Sequence, residues 1–133
     1  MLGLWSAGAS HFLVASALGS LLLLGLPMAV APLAWARALG WTLPEHRHLA
    51  IYFGRCLGAV VCVLSAAALV AARHPEVQGF FFRILIGSFA AMVVVHAWGA
   101  VRRIQPLSET LETAAWFALL LLAVLFYPAD PGR

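Results

Sequence analysis

The strongest constraint on this chain is the run from Leu49 to Ala72, LAIYFGRCLGAVVCVLSAAALVAA, which holds a single charge, Arg55. As a helix rising about 1.5 Å per residue it reaches roughly 36 Å, enough to cross a hydrocarbon core of about 30 Å. On a helical wheel stepped about 100° per residue, Gly54, Gly58, Cys62, Ser65, Ala68 and Ala72 fall within about a third of the circumference, and Val61 and Leu69 share that arc. Small residues along one stripe let a second helix come close, which is how membrane helices pair. Arg55 lies at the edge of the stripe and has two readings. It is either a charge turned into a bundle, where intramembrane charges mark sites, or an interfacial side chain whose stem snorkels to water.

Composition extends this to the whole chain. Sixty-four per cent of the residues are hydrophobic and 10% charged, with a mean hydropathy of +0.98, whereas soluble domains are about a quarter charged. The 133 residues fit one all-α domain, an integral membrane bundle of four transmembrane helices, with spans at about residues 9–33, 49–72, 80–101 and 106–127. All the basic residues are arginine. A net charge of +3, dispersed among loops, suits contact with anionic lipid and argues against nucleic acid as a partner. Cys56 and Cys62 project about 120° apart on one helix, so they neither bond to each other nor form a redox or metal pair.

Taken in order, the chain opens with an apolar segment. Leu21–Leu26 and Ala29-Val30-Ala31 mimic the core and cleavage site of a signal peptide, but no arginine or lysine precedes them and Pro32 sits just past the cut. The segment is therefore expected to be a true span, kinked or ended by Pro27 and Pro32. Trp35 and Trp41 bracket a stretch with the look of an interfacial segment. Arg73–Gly79 reads as a tight loop. In the third span Ser88, Ala91, Met92, His96 and Gly99 share a face, a second small or polar stripe expected to pack on the second span. Pro106 suits the first turn of the last helix, Glu109 and Glu112 suit its positive end, and Pro128 stops it ahead of a short tail expected to be disordered. Five arginines at the first and third loops against three on the opposite face place both termini outside the cytoplasm of a bacterial inner membrane.

Candidate chemistry follows from depth. Arg55, His96 and Glu112 each lie about six residues, or roughly 9 Å, inside the same face. Glu109, Thr113 and Trp116 share the arc of Glu112. An arginine in a low-dielectric site needs a carboxylate, and a histidine between them donates, accepts or shuttles protons. Arg55, His96, Glu112 and Glu109 are thus the candidate ligand-binding residues, for the head of a quinone, a lipid or another amphiphile. The competing reading is an interhelical clasp. Gly54, Gly58, Ser65, Ser88 and Gly99 are the candidate helix-packing residues.

No catalytic residue and no metal ligand is assigned. His11 and His96 lie near opposite faces and cannot be the two axial ligands of one haem; His96 with a histidine of the His46–His48 loop is a further haem arrangement, against which two histidines on a short loop read as contacts to lipid headgroups or solvent. Hydrolase, zinc-protease and phosphate-loop motifs are absent from the sequence.

Tyr52-Phe53-Gly54-Arg55-x-x-Gly58, a short arginine-containing loop and two aliphatic spans resemble the layout of the small four-span DoxX-like bacterial membrane proteins, over roughly Leu49 to Tyr127. That resemblance implies an antiparallel four-helix bundle and a part in membrane redox or quinone-linked assemblies, and it supplies no catalytic residue. The expected role is a non-enzymatic accessory or scaffold subunit without a cofactor, in contact with membrane lipids and either homo-oligomeric or part of a larger complex. The alternative is a ligand-binding or redox protein built on the polar cluster.

Overall fold

A computed structural model describes residues 3–128; the expected disordered tail lies outside the described residues. All regular elements described are helical. A short 3-10 turn, Ser6–Gly8, leads into α1 (Ala9–Ser20), a π-helical turn (Leu21–Gly25) and α2 (Leu26–Val30). Then follow α3 (Pro32–Ala38), α4 (His48–Ala71), α5 (Pro75–Arg102) and α6 (Leu107–Leu125). Four segments are long and apolar enough to cross a bilayer: Ser6–Val30, His48–Ala71, Pro75–Arg102 and Leu107–Leu125. The protein is a multi-pass membrane protein.

The prolines shape the first span. Pro27 has no N–H to give to the carbonyl four residues back, that of Leu23. This carbonyl instead accepts the indole N–H of Trp35 at 2.8 Å. The π turn ends two residues before Pro27, and Ala31 (φ −136°, ψ 60°) breaks the helix ahead of Pro32. The break lets α3 fold back beside α4.

Two expectations are corrected here. The stretch from Pro75 to Gly79 is the start of α5, so the connection shrinks to Ala72–His74. Proline at the first helical position gives up an N–H that has no intrahelical partner anyway. Buried Gln78 then reaches Ser10 Oγ (2.9 Å) and the Ala72 carbonyl (3.4 Å), closing the turn.

Second, the small stripe of α4 packs on the first span, and α4 meets α5 only sparingly. A methyl group at Gly54 would lie 2.5 Å from Pro32 Cβ, and one at Gly58 would overlap the Ala29 nitrogen and come within 2.8 Å of the Gly25 carbonyl oxygen. Gly25 in turn faces Cys62 Sγ. Pro32 and the kinked α2 bring backbone to this stripe, which a straight neighbouring helix presents only as side chains. Gly99, expected on the same inter-span contact, is covered by the side chain of Gln105, and Ser88 is exposed.

The molecule is therefore two antiparallel hairpins, the first span with α4 and α5 with α6. They join through an apolar core at the end holding the α4–α5 turn. Phe12, Leu13 and Ala17 pack there with Ala68, Ala71, Phe81, Phe82, Phe89 and Ala123. Phe12 stacks on Phe126 at 5.3 Å between ring centroids. Toward the other end the long helices of the two hairpins part, and the loop after α3 bridges them to the start of α6.

Candidate functional site

The gap between the hairpins is a cavity of about 620 Å³, walled by all four spans and α3. Its walls are apolar along most of their length, through residues such as Leu24, Met28, Val61 and Leu85. Polar groups gather at the open end of the bundle, where His96, Glu109, Glu112 and Trp116 meet the loop after α3. Leu57, Val60 and Leu64 of α4 and Ser88 and Ala91 of α5 line the cavity and are themselves exposed, so it opens sideways between α4 and α5.

His96 is 5% exposed and Glu109 8%. Several elements hold them. The His96 Nδ1–H donates to the Met92 carbonyl one turn back (2.8 Å). Gln105, seated over Gly99, donates to the His96 carbonyl (3.0 Å) and to Thr110 Oγ1 (3.2 Å). Glu109 occupies the first turn of α6, where the helix's positive end favours a carboxylate. Its Oε1 accepts the Trp41 indole N–H at 2.8 Å, and its Oε2 lies 3.1 Å from His96 Nε2. Glu112, three residues on and therefore on the same face, places Oε2 3.8 Å from the same nitrogen. The Ser108 hydroxyl donates to the Leu39 carbonyl and fastens the α3–α4 loop against the start of α6.

Hydrogen-bond bookkeeping limits the protonation states. A carbonyl only accepts, so Nδ1 of His96 carries a proton; an indole only donates, so Glu109 Oε1 accepts. Nε2 and Glu109 Oε2 then face each other, and one proton or another cation must lie between them. With one proton there and Glu112 ionised, two carboxylates stand against one imidazolium, an excess of negative charge. Among the described residues only His96 pairs ionically with either glutamate. Beside the cluster the Trp116 ring lies 5.9 Å from that of His96, its N–H turned toward the Glu112 carboxylate, and the buried hydroxyl of Thr113 has no partner among the described residues.

The structure thus brings His96, Glu109 and Glu112 together and leaves Arg55 out. Arg55 is exposed and makes no ion pair or side-chain hydrogen bond among the described residues. Gly54 and Gly58 face Pro32 and Ala29, and the helical step of about 100° turns the residue after Gly54 away from that seam. His46 and His48 are exposed and stand outside the cluster. Ser65 is buried and, with Ser88, lines the cavity.

Trp41 and Gln105 are the site residues that sequence reasoning missed. A tryptophan near a span end reads as an interfacial anchor, and nothing local marks a partner 68 residues away. For Gln105 the only signal is its position beside Pro106, one turn before the acidic pair.

Comparison with known protein families, curated proteins and solved structures finds no match to this chain.

Proposed function

We propose that this protein holds an amphiphile taken sideways from the bilayer, its polar head at His96, Glu109 and Glu112 and its apolar body in the cavity. The observation that carries this reading is the cavity itself: about 620 Å³, apolar along its length, polar at one end and open laterally. Ligand pockets span about 300–1,000 Å³ and pair apolar walls with a few placed polar groups. The absence of Arg55 from the cluster narrows the head. Two carboxylates repel a phosphate, so an uncharged or cationic head that donates hydrogen bonds fits best, as in a quinol-like molecule. We read the role as binding, in the inner membrane of a bacterium, with the polar end toward the cytoplasm and both termini outside it.

A second reading, that of an accessory subunit, draws on the same opening: the cleft between α4 and α5 would receive a helix of a larger assembly. One experiment separates the two. The protein is extracted gently from its own membranes and weighed by native mass spectrometry, beside an Ala91→Trp variant that plugs the cavity from an exposed wall position. The amphiphile reading expects a stoichiometric small molecule on the wild type and none on the plugged variant, with helix content equal. Co-purification with another polypeptide in place of the small molecule favours the accessory role. A bare wild-type protomer, or equal small-molecule binding by both, overturns the amphiphile reading.

A further inference from the structure

We propose that His96 Nε2 and one carboxylate oxygen each from Glu109 and Glu112 form a three-ligand site for a divalent first-row transition-metal ion, with its fourth position facing the cavity. This uses the same three side chains as the amphiphile reading but is tested separately from it.

The geometry comes first. The three donor atoms lie within 4.8 Å of one another, and Nε2 is 3.1 and 3.8 Å from the two carboxylate oxygens. With metal–ligand bonds of about 2.0–2.2 Å, ligands at tetrahedral angles lie about 3.3–3.6 Å apart, so small side-chain adjustments bring all three onto one ion.

The imidazole is prepared for this role. It is almost wholly buried, and its Nδ1–H is committed to the Met92 carbonyl, which leaves the Nε2 lone pair directed at the carboxylates. A metal-bound histidine typically anchors its other ring nitrogen in this way, and ligating carboxylates are themselves hydrogen-bonded, as Glu109 is by Trp41.

Charge is compatible with the same conclusion: with both glutamates ionised, a divalent ion in place of the single proton balances the two carboxylates beside a neutral imidazole. The indole of Trp116 stands beside the same cluster, its N–H toward the Glu112 carboxylate and its ring 5.9 Å from that of His96, so the second glutamate, like the first, has an indole donor beside it. Nitrogen and oxygen donors without thiolate select zinc, manganese or ferrous ion over soft monovalent copper, and three protein ligands leave one position free in the manner of catalytic zinc sites.

The test uses the full chain in detergent, stripped with a chelator and titrated with Zn²⁺ by calorimetry, and with Co²⁺ by visible absorption. Wild-type protein is expected to bind one equivalent and to give the intense visible bands of low-coordinate Co²⁺. Glu112→Gln, close to isosteric, is expected to lose the bands, and Trp41→Phe to weaken binding by about 10–100-fold, as for other outer-sphere partners. Ala91→Trp, the cavity plug, keeps the metal, so failure of the amphiphile reading leaves this result untouched. Absence of saturable binding by the wild type overturns the proposal even if a variant misfolds. So does undiminished binding in folded Glu112→Gln, which would place the ion on exposed histidines.

Discussion

Gly58→Ala tests the packing on which the whole arrangement depends. In a helix interior, alanine is ordinarily better than glycine by about 0.5–1 kcal/mol. At Gly58 the added methyl meets backbone: it overlaps the Ala29 nitrogen and falls 2.8 Å from both Ala29 Cα and the Gly25 carbonyl oxygen. No rotamer change relieves a backbone contact, so the overpacking cost belongs in the upper part of the usual range of about 1–3 kcal/mol. The net expectation is a loss of about 1–2 kcal/mol. Gly87→Ala is the matched control, because nothing lies within 4 Å of its added methyl; it should gain about 0.5–1 kcal/mol. Thermal unfolding of both variants in one detergent, followed by helical circular dichroism, should place Gly58→Ala below the wild type and Gly87→Ala at or above it. Equal stability of the two variants would refute the claim that α4 packs backbone to backbone on the first span.

Other expectations can be checked alongside. Gly25→Cys should form a disulfide with native Cys62 under a lipophilic oxidant, because a Cβ at that position lies 2.9 Å from the Cys62 sulfur; intact mass reads the bond, and failure to form it contradicts the α2–α4 seam. Arg103 closes α5 in a left-handed conformation with φ 54°, so Arg103→Gly should raise stability by about 1 kcal/mol in the same melt. Arg55→Leu should leave both fold and any bound small molecule unchanged, since the arginine is exposed and outside the cluster; a loss of ligand in native mass spectrometry would return Arg55 to the site. Gln105→Ala removes donors to the His96 carbonyl and to Thr110, and should lower the unfolding temperature by an amount equivalent to about 1–3 kcal/mol.

How much of this was legible in the sequence depended on the range of the interaction. The four spans were legible because hydropathy is a local property, and Leu49–Ala72 nearly coincides with α4. The stripe of Gly54 and Gly58 announced a close approach but not its partner. That choice rests on the proline-broken path of residues 26–32, which brings backbone to those glycines. The depth argument placed His96 and Glu112 on one level, and they meet. It placed Arg55 there too, but depth says nothing of azimuth, and the seam with Pro32 fixed the azimuth of α4 against it. Trp41 was out of reach because its partner is fixed by how two hairpins dock, and no local spacing encodes that.

The Trp41–Glu109 hydrogen bond also fixes an order of events during synthesis. At about 5–20 residues per second, Trp41 emerges some 3–14 s before Glu109, which lies 68 residues later. Throughout that interval the loop after α3 has nothing to bind at the open end, and His96 arrives still lacking its carboxylates. The last helix thus completes the polar end in one step: it supplies Glu109 and Glu112, and with Ser108 it fastens the α3–α4 loop. A chain lacking α6 has neither carboxylate to meet the Trp41 N–H or His96 Nε2. The final span therefore decides whether the polar end forms at all.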